Sequence, residues 1–202
     1  QRLGGEASSQ FIQHQGSELR VRGDTDLRVG GDMQVLGSEV QLGDHAGSIA
    51  TVDVQGAVTL GATRDRAQID SRYQGGGAAG RLHRLDETLQ GASLSSDGSL
   101  LLQARRDITV TGSRVEVAGT AQLESGGDIR VLAAEERHEM RFSDRGTHTA
   151  GLGTRSTRTE EAKDQTFQRG GAIGAGDLGL LAQGSLEVRG SQVLADRDLT
   201  LA

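Results

Sequence analysis

The sequence predicts an all-β chain: a right-handed parallel β-helix, a solenoid with coils of about 21 residues and two inserted hairpins or loops. Three observations predict it. One short pattern recurs, its inner period matches one turn of a β-solenoid, and the 31 glycines with no proline rule out a long helix.

The pattern is clearest in three segments. Asp32-Met-Gln-Val35-Leu-Gly37-Ser38-Glu-Val40-Gln-Leu42 matches Asp107-Ile-Thr-Val110-Thr-Gly112-Ser113-Arg-Val115-Glu-Val117. Both match Ser185-Leu-Glu-Val188-Arg-Gly190-Ser191-Gln-Val193-Leu-Ala195. The last two copies align without a gap from Leu100–Leu123 onto Leu178–Leu201. Within a unit, Asp107-Ile-Thr-Val110 recurs as Asp128-Ile-Arg-Val131, and Asp177-Leu-Gly-Leu180 as Asp198-Leu-Thr-Leu201. A leucine-rich repeat, the rival solenoid, needs an Asn or Cys step, and this chain contains neither residue.

Alternation gives the shape of a coil. Met33 and Val35 share one strand face, as do Val40 and Leu42. Val35 and Val40 are an odd number of residues apart, so on one straight strand they would face opposite sides. For both to reach the core the chain must bend between them, and Gly37-Ser38 is placed to make that corner. The same reasoning assigns corners to Gly112 and Gly190. The expected core positions are Met33, Val35, Val40, Leu42, Ile108, Val110, Val115, Val117, Leu186, Val188 and Val193. Asp32, Asp107 and Asp128 are expected to stabilise turns through their own backbone. The reading takes residues 1–202 as one β-helix segment of a longer chain.

Two stretches break the pattern, at about residues 63–91 and 135–174. They hold Tyr73, Phe142 and Phe167, and each could form a hairpin leaving the coils. In the first, Tyr73 and Leu82 flank a glycine cluster; in the second, Phe142 and Phe167 are equidistant from Gly151-Leu152-Gly153. Tyr73, Met140, Phe142 and Phe167 are the candidate contact residues, since aromatic side chains concentrate at interfaces.

The coils resemble the filamentous haemagglutinin repeats of two-partner secretion exoproteins. The resemblance rests on Ala104-Arg-Arg-Asp107-Ile-Thr-Val-Thr-Gly112-Ser113-Arg-Val115, Gly126-Gly127-Asp128-Ile-Arg-Val-Leu-Ala-Ala134-Glu-Glu-Arg and Gly184-Ser-Leu-Glu-Val-Arg-Gly190-Ser191. It covers about residues 15–202. It implies export through an outer-membrane two-partner secretion transporter and a place at the bacterial cell surface. It also implies contact with a target or host cell, as an adhesin or as the carrier of a C-terminal toxin in contact-dependent growth inhibition.

Composition and motifs point away from other functions. Zero cysteines exclude disulfides and thiolate metal sites. A net charge of -6 with interspersed signs argues against a nucleic-acid partner. His14, His45, His83, His138 and His148 show no metal-ligand spacing. Gly174-Ala-Gly176-Asp-Leu-Gly179 satisfies a dinucleotide-loop spacing but sits inside the strand repeat, so it counts as chance. No cofactor and no catalytic residue is expected, and the chain is read as a monomer. The enzymatic alternative is a β-helical polysaccharide-active enzyme. It would need clustered carboxylates among outward charges such as Glu116, Arg130 and Glu187.

Overall fold

The structure, a computed structural model, describes residues 4–151 and 153–202. Among them every regular element is a strand. The chain divides into two compact units. One comprises His14–Thr63, Leu89–Glu135 and Gln168–Ala202; the other comprises residues up to Gln13, Arg64–Thr88 and Glu136–Phe167.

Strand β1 (Gly4–Ile12) precedes the first coil, which contains β2 (Glu18–Val21), β3 (Thr25–Val29) and β4 (Met33–Leu36). The second coil contains β5 (Glu39–Leu42), β6 (Ile49–Val54) and β7 (Val58–Gly61). The chain then leaves through β8 (Thr63–Gly75) and β9 (Ala78–Gln90). It returns as β10 (Ser93–Ser96), β11 (Ser99–Ala104) and β12 (Ile108–Thr111). The next coil is the long β13 (Arg114–Ser125) followed by β14 (Ile129–Leu132). A second excursion follows, β15 (Ala134–Ala150) and β16 (Gly153–Arg169). The chain closes with β17 (Ala172–Ala182), β18 (Leu186–Arg189), β19 (Gln192–Ala195) and β20 (Leu199–Leu201).

All coil strands pair in parallel, and the pairing fits a parallel β-helix. The third wall is the ladder β4-β7-β12-β14-β18, and the other two walls share one ten-stranded sheet. Residues that repeat in sequence stack in space. Leu27, Val52, Leu102, Leu123, Leu180 and Leu201 form one column. Met33, Val58, Ile108, Ile129 and Leu186 form another. Stacking like on like lets one aliphatic choice satisfy every tier. Leu60, Leu94, Leu102, Ile108, Leu123, Ile129 and Ile173 are all fully buried. Burying each such side chain contributes roughly 1.5–3 kcal/mol.

Of the expected core positions, Val35, Val40, Leu42, Ile108, Val110, Val115 and Val117 are buried, while Met33, Leu186 and Val193 are partly buried and pack against them. Val188 is not a core residue here: it is 45% exposed. It stacks on Val131, but β18 is an edge strand, so a neighbouring strand covers one side alone.

Gly37, Gly112 and Gly190 have φ of +54°, +57° and +60°, the left-handed region that glycine tolerates. Each is followed by a serine that ties two coils together. The Ser113 hydroxyl accepts from the Ala92 amide at 3.0 Å and donates to the Thr111 carbonyl at 2.9 Å. Ser38 does the same with Ser17 and Leu36, and Ser191 with Gly171 and Arg189. These corners do not occur in every coil. They alternate with the two excursions, which leave after β7 and after β14. The second excursion ends earlier than residue 174, because Ala172 already pairs with Arg114 in the coil wall.

The aspartates also act differently from expectation. Asp32, Asp107 and Asp128 each reach along the stack. Their carboxylates accept the amides of Ala57, Asp128 and Ser185 at 2.9, 2.9 and 2.7 Å. Those amides, the first-named cause in each case, hold all three carboxyls below the usual range. The glycines explain the spacing. A Cβ at Gly56, Gly127 or Gly184 would lie within 2.2 Å of the aspartate Oδ1 that occupies its place. Gly126-Gly127-Asp128 therefore receives one aspartate and supplies the next.

Candidate functional site

The excursions build a second sheet, in the order β1-β8-β9-β15-β16. β1 runs antiparallel to β8 and β15 antiparallel to β9. A two-residue loop, Gly76-Gly77, joins β8 to β9 with φ of +60° and +85°, the double positive φ that a tight hairpin needs. Gly151, at φ +60°, begins the turn after β15; its neighbour Leu152 lies outside the described residues.

β1 is a strand that the periodicity did not reveal. Gly4–Ile12 carries no apolar alternation, yet Phe11 pairs with Ala67 and Ser9 with Ile69. The tight loop also moves the expected partner of Tyr73. The Tyr73 ring lies over Gly80, where an added Cβ would fall 2.3 Å from it, and not beside Leu82. Its hydroxyl donates to Asp144, opposite Gly80 on β15, and this contact raises the Tyr73 pKa. Phe142 is directly opposite Leu82 on β9. Phe167 instead meets the His138 ring edge-on, with centroids 5.5 Å apart.

Strand alternation then gives the sheet two unlike faces. One face collects Phe11, Ile69, Tyr73, Leu82, Met140 and Phe142, together with His138 and Phe167. All four candidate contact residues lie on it. Phe11 is 69% exposed, Phe167 52% and Tyr73 38%; Met140 and Phe142 are half-buried. Phe11, Ile69 and Leu82 were not among the candidates. Pairing puts them there, and nothing in the residues near Phe11 signals it.

The other face is polar and cross-linked. Arg72 meets Glu6 at 2.5 Å, and His83 Nδ1 lies 2.6 Å from Asp70. The His83 contact, then Gln68, holds the Asp70 carboxyl low. Arg137 bridges Glu139 at 2.7 Å and Asp164 at 3.2 Å. On the aromatic face, burial pushes the Asp86 carboxyl up, but His138 and Arg84 outweigh it and the net direction is down.

In the coils, the outward charges weighed for catalysis are engaged with neighbours. Glu116 meets Arg114 at 3.1 Å, Glu187 meets Arg189 at 3.8 Å, and Arg130 bridges Asp107 and Asp128. Gly174, Gly176 and Gly179 all lie within β17. Among the described residues no group of three or more His, Asp or Glu could hold a metal ion.

Residues 83–202 match the family described as Hemagglutinin repeat. The whole chain is 28% identical to a segment of the tRNA nuclease CdiA-2 of Burkholderia pseudomallei, spanning 6% of that protein. A segment covering 54% of the chain is 31% identical to the deoxyribonuclease CdiA of Dickeya dadantii, spanning 3% of it. A match covering 94% of the chain is 26% identical to the hemolysin of Serratia marcescens, spanning 11% of it. No solved structure matches. The resemblance read from the coil motifs is borne out.

Proposed function

This chain belongs to the hemagglutinin repeat family, and on that premise we propose that it is a structural and adhesive segment of a large secreted exoprotein. The coils, a right-handed β-helix in this reading, are the structural part, and the aromatic face of the five-stranded sheet meets the surface of a target or host cell. The observation that carries the reading is the division of apolar residues. The coils bury their aliphatic side chains in stacked columns, whereas the sheet presents Phe11, Tyr73 and Phe167 exposed on one face.

The relatives support the setting. They are named as nucleases and a hemolysin, and the chain spans 3% to 11% of the three proteins described above. In this reading the nuclease activities lie elsewhere in such proteins, and this segment is not an enzyme. Its parent is exported through an outer-membrane two-partner secretion transporter and stands at the cell surface. There it either adheres or helps deliver a toxin in contact-dependent growth inhibition. The segment acts as a monomer and binds no nucleic acid.

The test is binding of the 202-residue chain to Gram-negative outer-membrane vesicles. The triple substitution Tyr73→Ser, Phe142→Ser, Phe167→Ser is expected to weaken binding at least about tenfold, given the weight of aromatic anchors in interfaces. The β-type circular dichroism should stay unchanged. Unaltered binding by the triple variant would overturn the contact reading.

A further inference from the structure

The polar face of the five-stranded sheet has its own recess. Two adjoining cavities, of about 850 and 890 Å³, open on it, and both are lined by Glu6, Arg72, Arg81, Ser143 and Glu160. Every strand of the sheet contributes one of these five residues. The shared lining makes the two cavities one continuous trough across the strands.

Most cations in the trough are matched. Arg72 is held by Glu6, Arg158 by Glu160, and Arg141 faces Glu139 at 3.8 Å. Arg81 and Arg145 are different: neither has an ion-pair or hydrogen-bond partner among the described residues. Arg81 pairs with Ser143, and Arg145 with Ala79. The two arginines therefore occupy diagonal positions on one face, roughly 7–8 Å apart at the backbone. A guanidinium cannot shed its charge and presents a planar fork that suits a carboxylate.

We propose that this trough binds an acidic oligosaccharide. Arg81 and Arg145 take carboxylates of the sugar chain, and Glu6, Glu160 and Ser143 accept hydrogen bonds from its hydroxyls. Mixed lining decides the ligand class. A nucleic acid calls for aromatic side chains on which its bases stack, and Tyr73 and Phe142 alternate to the other face. An anionic lipid surface is flat and calls for exposed apolar anchors, and the large apolar residues that border the trough, Leu82 and Phe142, alternate to the other face. A hydrated chain carrying both hydroxyls and carboxylates uses both kinds of lining. The site does not depend on the aromatic face, so either can fail without the other.

Calorimetric titration of the 202-residue chain with a short oligogalacturonate tests this, with a neutral malto-oligosaccharide of equal length as control. The expected result is binding of the uronate, weakened by salt, and no binding of the neutral sugar. Arg81→Gln with Arg145→Gln should weaken uronate binding at least about tenfold, the order expected when charge-assisted contacts are lost. Both arginines are exposed, so the strand circular dichroism should not change. Phe167→Ser, which lies outside the trough, should leave uronate binding intact. Equal binding of the two sugars, no binding of either, or unchanged affinity in the arginine double variant would each overturn the proposal. So would tighter binding of anionic phospholipid vesicles or single-stranded DNA through Arg81 and Arg145.

Discussion

The coils and the five-stranded sheet are built from strands of the same chain by opposite means. In the coils, parallel pairing stacks like residues, so Leu102 sits between Val52 and Leu123 and is fully buried. In the sheet, antiparallel pairing sets β1 and β16 at the edges, and every residue of both is exposed. The difference teaches where each unit's stability comes from. The coils draw on a shared aliphatic interior. The sheet relies on strand pairing and tight glycine turns, and its exposed ion pairs such as Arg72–Glu6 add little. An interior that repeats accepts exchange among aliphatic residues but is costly to empty, while a surface held by pairing leaves its side chains free for contacts.

Substitutions can break this comparison in order of size. Leu102→Ala, inside a column, should destabilise by about 2–5 kcal/mol, the range for emptying a packed aliphatic site. Equilibrium denaturation would measure it. Gly112→Ala comes next, since its φ is +57° and the new Cβ would fall 2.7 Å from that of Ala134. A loss of roughly 1–3 kcal/mol is expected from overpacking. Ser113→Ala leaves the buried Ala92 amide without its acceptor and should cost about 1–3 kcal/mol in the same assay. By contrast, Phe167→Ser in the sheet should change stability by about 0.5 kcal/mol or less, as for other exposed substitutions. A loss there as large as at Leu102 would erase the distinction between the units.

Acid acts on both units, since Asp70 and Asp86 in the sheet are held low as well, and the aspartate ladder gives the coils their share. Asp32, Asp107 and Asp128 have carboxyls held low by amides of the next coil. A lowered folded-state pKa contributes stability that is fully present above the unfolded value, near 3.8, and is lost as pH falls through the folded value. Coil stability should therefore be flat from neutral pH to about 5 and fall below about pH 4. Asp107→Asn should shrink that acid-dependent loss, as followed by melting temperature against pH.

The sequence reading reached the coils because stacking makes structure periodic. Val35, Val110 and Val188 recur at matching steps, and Gly37, Gly112 and Gly190 mark where the chain must bend. It missed where the aspartates point, because the partner amide lies a full coil away along the chain. It also missed the edge strand β1. Antiparallel pairing of Gly4–Ile12 with β8 leaves no repeat to read, and Phe11 joins the contact face through a register that only tertiary structure fixes. Tyr73 was legible as a contact candidate from its type, but its seat over Gly80 follows from the length of the Gly76-Gly77 loop. Val188 fits its column yet stays exposed, because burial depends on a neighbouring strand as well as on pattern.

The central claim is that the coils are structural and the sheet makes contact. Hydrogen–deuterium exchange of the chain, with and without outer-membrane vesicles, tests it most directly. The account predicts new protection confined to residues 4–12, 64–88 and 136–167, with exchange in β6, β11 and β13 already slow and unchanged. New protection in the coil strands, with none in the sheet, would contradict it.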